Sequence, residues 1–155
     1  MENCHYPSVI KEKNFDKARA LIKKEKQEGK SIIFVSDDDE LSRKILEKSP
    51  PNILVILQAN RKDFQKQRDS GFNQVLAAIA KKANVTIGIC LDEIANSEGK
   101  QKAEILARAR QNIKICSKAK LPMKFCGKAA AEKNIYDLKS LGLTLGMPTW
   151  MTSKL

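Results

Sequence analysis

Three continuous apolar runs, each followed by polar or helix-spaced sequence, constrain the fold of this chain more than any other feature. They are SIIFVS (31–36), NILVILQA (52–59) and VTIGIC (85–90). Short runs that are apolar on nearly every residue read as strands buried on both faces, the signature of a parallel sheet. The segments around them carry helix signals. Asn14 is placed to cap a helix over about 15–28, with Phe15, Ala18, Leu21 and Ile22 inward and Gly29 as its stop. Asp37, Asp38, Asp39 and Glu40 open a second helix over about 38–48, which Pro50-Pro51 ends. The stretch NRKDFQKQRDSG (60–71) is polar, basic and aperiodic, so it reads as a strand-to-helix loop. Asp69 or Ser70 then caps a helix with Phe72, Val75, Leu76, Ile79, Ala80 and Ala83 inward, and Asn84 closes it.

The second half continues the alternation. Residues 91–99 read as a loop with room for a turn of helix. A long helix over about 100–120 points Leu106, Ala109, Ile113 and Cys116 inward. Its polar side carries Arg110, Lys114 and Lys118 at i, i+4 and i+8, a basic ridge. Pro122 ends that helix and PMKFC (122–126) begins a fourth strand. A basic loop (127–134) leads to a last helix, capped by Asn134, with Leu138, Leu141 and Leu145 inward. SVI (8–10) adds a weak fifth strand.

Alternating βα units predict an α/β protein with a parallel sheet and helices outside it. A complete eight-unit barrel needs at least about 200 residues, and this chain has 155. The expected form is therefore a single domain over 1–155, either an open sheet or a barrel with units missing. Either way ligands meet the carboxyl ends of the strands, where loops 60–71, 91–99 and 127–134 lie.

Charge narrows the function classes. The net charge is +11, and residues 1–60 hold 11 Lys and Arg against 10 Asp and Glu, whereas residues 61–155 hold 18 against 8. A face that positive attracts polyanions. Aromatic residues make up only 5% of the chain, which argues against an aromatic-rich base-stacking platform as the main device.

Catalytic signals are missing or have simpler readings. No GxxxxGK[ST], GxGxxG after a strand, or GxSxG is present. The four cysteines, Cys4, Cys90, Cys116 and Cys126, form no CxxC pair, and three of them read as buried small hydrophobes. The one histidine, His5, cannot build a metal hydrolase site with Cys4 alone. The acids 37–40 resemble a metal cluster in type, but helix capping is the stronger reading. Asp92-Glu93 sits at a strand end without a nucleophile or ligand cluster beside it, so an exposed loop pair is the stronger reading there. No catalytic or metal-ligating residue is assigned. The N-terminal segment lacks an apolar signal region and no apolar run reaches about 18 residues, so the chain is expected in the cytoplasm and off membranes.

Four segments in order carry a family resemblance. They are Arg-Asp-Ser-Gly-Phe-Asn-Gln-Val-Leu (68–76), VTIGICLDEI (85–94), LARARQNIKICSKAKLPMKFC (106–126) and IYDLKSLGLTLGM (135–147). They resemble archaeal ribonuclease P protein component 3, the family of the thirty-kilodalton eukaryotic subunit. The first matches an RDSGxNHVL motif and the last a PxDLxxLGxxLGM motif. Gln74 stands where the family usually has His. The resemblance implies a TIM-barrel-like fold, here shortened to an incomplete barrel with fewer than eight βα units. It further implies a non-catalytic subunit that binds ribonuclease P RNA and precursor tRNA. The RNA, with its own magnesium, removes the 5′ leader, and no cofactor is expected in this chain. A Pop5-type protein is the implied partner, in an assembly up to a heterotetramer.

Residue by residue, Arg68 and Asn73 match the first motif, Lys133 a basic position before the closing motif, and Asp137 the Asp of that motif, which reads equally as a helix first-turn acid. With the basic loops and ridge, the expected RNA-contacting set is Arg61, Lys62, Arg68, Asn73, Arg108, Arg110, Lys114, Lys118, Lys124, Lys128 and Lys133. Relative to the family, the N-terminal half is shorter and the last βα unit is missing, as in a reduced member or a fragment. Two other function classes fit the composition: a general RNA- or ribosome-associated α/β scaffold, and a magnesium-dependent phosphoesterase using Asp92, Glu93 and the acids 37–40.

Overall fold

The computed structural model describes residues 7–155. Its strands are β1 (Ser8–Ile10), β2 (Ile32–Ser36), β3 (Ile53–Ile56), β4 (Thr86–Cys90) and β5 (Met123–Cys126). Its helices are α1 (Phe15–Gln27), α2 (Asp39–Lys48), α3 (Gln74–Lys82), α4 (Leu91–Asn96), α5 (Gly99–Ala119), α6 (Lys128–Ala131), α7 (Ile135–Leu145) and α8 (Thr149–Thr152). The strands form one sheet in the order β1-β2-β3-β4-β5, every neighbour parallel. The weak SVI segment is thus a full member of the sheet.

That order has a consequence for the layers. Each crossover steps one strand in the same direction, and parallel crossovers are right-handed, so the helices collect on one face. A doubly wound sheet would reverse direction at a switch point; this one winds as successive units of a barrel do. The register sorts the strand residues accordingly. Ile10, Phe34, Leu54, Ile56, Ile87, Ile89, Met123 and Phe125 face the helices and belong to the buried core. Val9, Ile33, Ile53, Val55, Gly88, Cys126 and Lys124 alternate onto the opposite face and lie outside that core cluster. Gly88 lets this second face curve inward: a Cβ there would sit 2.5 Å from Val55 Cγ2 and 2.9 Å from Cys126 Sγ, so β3 and β5 side chains close over β4.

Helix starts follow side-chain chemistry. Asn14 caps α1 by accepting the Lys17 N–H, Asp38 caps α2 through Leu41, and Asn134 caps α7 through Asp137. The third helix differs from expectation. Its cap is Asn73, whose Oδ1 accepts the Leu76 N–H at 2.9 Å, not Asp69 or Ser70. Those two residues shape a turn instead: Asp69 accepts the Gly71 N–H, and buried Ser70 bonds the backbone of Phe72. Phe72 is buried just ahead of the helix, and Val75 faces solvent.

Three further boundaries moved. The helical turn allowed for after β4 is the six-residue α4, and the basic loop 127–134 holds the short α6. Strand β3 stops at Ile56 rather than residue 59. Beyond it the Glu93 carboxylate accepts the N–H groups of Gln58 and Ala59, drawing that backbone out of the ladder.

Candidate nucleic-acid interface

Helix α5 decides which basic residues are available. Its buried stripe is Ile105, Arg108, Ala109, Asn112, Ile113 and Cys116, at helical i, i+3, i+4 spacing. Leu106 is only partly buried. Arg108, expected among the exposed basic residues, is instead 2% exposed and sits on the inward face. A buried guanidinium must have its donors satisfied. Arg108 donates to the Gln58 carbonyl at 3.1 Å, the Arg61 carbonyl at 3.0 Å and Asp63 Oδ1 at 3.0 and 3.1 Å. Those three acceptors all belong to the loop between β3 and α3. Arg108 is the pin that fastens the loop to α5.

Other bonds set the loop's path. Buried Gln58 donates from Nε2 to the carbonyls of Ile56 and Ser70, both at 2.9 Å, joining the loop's two ends. Asp63 Oδ1 also accepts the Asp69 N–H at 2.9 Å. That backbone bond, with Arg108 after it, holds the Asp63 carboxyl below the usual Asp range. Phe64 to Gln67 forms a tight turn between these anchors, closed by the Gln67 N–H to the Phe64 carbonyl at 3.2 Å. Arg61 departs from expectation as well. Its guanidinium bonds Asp39 and the Leu57 carbonyl and is largely covered. Gly71 packs against that pair at φ +68, where any Cβ would collide with both side chains.

On the loop and the ridge, Lys62, Lys66, Arg68, Arg110, Lys114 and Lys118 remain exposed. None of them forms an ion pair among the described residues. Arg68, Lys114 and Lys118 stand between two open grooves of about 1000 and 830 Å³ and line both. Phe64 and the cap residue Asn73 line the first groove, Lys66 and Arg110 the second. The loop and the ridge on α5, distant in sequence, thus form one basic surface. Lys124, Lys128 and Lys133 line neither groove. Lys124 lies on the helix-free face of β5 beside Gly88. Lys128 begins α6, and Lys133 borders a third groove of about 460 Å³ with Leu138.

Most of the acids at 37–40 and 92–93 already have partners, in backbone N–H groups or in cations. Asp38 caps α2, Asp39 pairs with Arg61 and Glu40 with Lys44. Asp92 accepts the N–H groups of Lys128 and Ala129 at 3.0 and 2.7 Å, and Glu93 those of Gln58 and Ala59. The pair after β4 is therefore structural rather than an exposed loop feature, and its oxygens are already occupied in a way that opposes the phosphoesterase reading. Among the described residues no three His, Cys, Asp or Glu side chains gather to hold a metal ion. Burial raises the Cys116 thiol to about 12 and the Cys126 thiol to about 11, far from a reactive thiolate. Cys4 and His5 lie outside the described residues. No helix among the described residues is long and apolar enough to cross a membrane.

No family model matches the chain, and no curated protein matches it in sequence. Solved structures do. A chain of an archaeal ribonuclease P with mature tRNA, determined by cryo-EM, superposes with a TM-score of 0.75 at 25% identity, covering 94% of this chain and 62% of that one. The present chain thus spans less than two thirds of that neighbour. A prolidase complexed with N-methylphosphonate-L-proline superposes with a TM-score of 0.51 at 9% identity, covering 84% of this chain and 33% of that one, a likeness of fold alone.

Proposed function

We propose that this chain is an RNA-binding protein subunit of ribonuclease P, one that supports removal of the 5′ leader from precursor tRNA without itself cleaving the phosphodiester. The observation that carries this reading is the likeness, over nearly the whole chain, to a chain of an archaeal ribonuclease P bound to tRNA. The unpaired cations of the loop and α5 supply the physical means. Lysine and arginine that meet RNA phosphates release condensed counterions, and this supplies most sequence-independent affinity. Arg68, Arg110, Lys114 and Lys118 are held on an anchored loop and a 21-residue helix, so they meet the RNA as a preset array. The catalytic metal belongs to the RNA in this reading, and a Pop5-type subunit is the protein partner.

The test is the salt dependence of binding to ribonuclease P RNA. Each lost phosphate contact lowers the slope of log K against log salt by about 0.7–0.9. Arg68→Ala and Arg110→Ala are expected to lower both affinity and slope while the far-ultraviolet spectrum is unchanged. If both variants bind and support processing as the parent does, the basic face is misassigned.

A further inference from the structure

Two apolar side chains stand exposed at the larger groove, Val75 and Phe64, and of the two only Phe64 offers an aromatic face. Phe64 is 68% exposed at the tip of the turn after β3 and lines the larger groove. A single exposed aromatic is ordinary by itself. The setting of this one is not. The turn is fastened below by Arg108 and Asp63 and closed by its own backbone bond, so the ring is presented from a fixed base. Arg68, Lys114 and Lys118 share the groove with it, and none of the three has an acidic partner among the described residues. The acids at the groove are engaged: Asp39 by Arg61, Glu40 by Lys44, Asp69 by the Gly71 N–H. Gln111, on the same wall, donates to the Arg68 carbonyl at 3.4 Å, while its Oε1 is shut off from solvent with no donor.

A flat aromatic face beside free cations matches one ligand chemistry. A nucleobase offers a π-face and amino or imino donors, and its backbone offers phosphates. Within an A-form duplex the faces are already stacked, so a side chain reaches one only where a nucleotide is unpaired. We propose that the groove beside Phe64 takes an unpaired RNA nucleotide, its base stacked on the Phe64 ring and its phosphates on Arg68, Lys114 and Lys118. This rests on the RNA-binding reading above and adds a preference for single-stranded over paired RNA.

The experiment uses the full chain and two synthetic hairpins, one blunt and one with an unpaired tail containing 2-aminopurine. The wild type is expected to bind the tailed hairpin more tightly at equal salt and to quench the 2-aminopurine. Phe64→Ala should weaken the tailed complex by about 5- to 150-fold, the range for one lost base–aromatic stack. It should leave blunt-hairpin binding and the salt slope as they were, and Phe64→Trp should restore affinity and quenching. Because Phe64 is exposed, the Ala variant should keep its fold, and circular dichroism checks this. If Phe64→Ala binds both hairpins as the wild type does, or weakens both equally, the stacking site is overturned. If, in addition, Arg68→Ala and Lys114→Ala bind unchanged, the RNA-binding face falls with it; if those two weaken binding, only the stacking site falls.

Discussion

Replacing Arg108 with Met should destabilise the protein by about 2 kcal/mol. The methionine keeps most of the buried stem, so the change isolates the guanidinium's bonds. Two carbonyls, of Gln58 and Arg61, lose their donor. A buried acceptor left unsatisfied costs about 1–3 kcal/mol, and the Arg61 end is only part-buried, so the pair sums to roughly 3. Relief of the guanidinium's own desolvation offsets part of this. Asp63 is open enough to rehydrate and contributes little. Arg108→Ala removes the stem as well and should cost about 4 kcal/mol in total. Urea unfolding followed by circular dichroism measures both. The neighbouring Arg110→Ala, on the exposed side of the same helix, should stay within about 0.5 kcal/mol of the parent. An Arg108→Met variant as stable as Arg110→Ala would refute the anchoring role and return Arg108 to the surface set.

Further outcomes follow from the same structure. The folded-state pKa of Asp63 is depressed, so its stabilisation is present above the ordinary Asp range and is lost as pH falls through the lower folded value. The stability gap between wild type and Asp63→Asn should therefore be constant above about pH 5 and narrow as the pH falls below the ordinary Asp value of about 4, read by urea titrations at each pH. At neutral pH the buried Cys116 and Cys126 should react with a thiol reagent far more slowly in the folded protein than after denaturation, because both thiols titrate near 11 to 12. Gly88→Val should cost about 1–3 kcal/mol by overpacking, since β3 and β5 side chains already meet over that position. Equal unfolding midpoints for Gly88→Val and the parent would show that the sheet is flatter there.

Much of this architecture is written in period and punctuation. The apolar runs at 31–36, 52–59 and 85–90 become β2, β3 and β4 because continuous apolarity suits a strand between two covered faces. Asn14 and Asn134 cap where their positions ahead of a helical repeat say they should. Reading fails where a long-range bond overrides a local rule. Nothing near Leu57 foretells that Glu93, 35 residues on from Gln58, will end the strand. The third helix shows a competition among caps: Asp69, Ser70 and Asn73 all have the right chemistry, and the turn at Gly71 takes the first two.

The site was legible in its charges but not in their exposure. The ridge of Arg110, Lys114 and Lys118 follows from helical spacing alone. Arg108 could have been found, since it stands three residues after Ile105 and four before Asn112 on the buried stripe. Composition concealed Phe64: a chain with 5% aromatic residues does not advertise the one ring its fold leaves on the basic surface.

The most direct measurement is to isolate the tagged protein from its native cells at moderate salt and sequence the RNA that accompanies it. A ribonuclease P subunit should bring down one dominant RNA with the ribonuclease P fold, together with a small Pop5-like protein. A broad population of unrelated RNAs, or none, would contradict the proposed function and leave only a basic α/β scaffold that binds phosphates wherever it meets them.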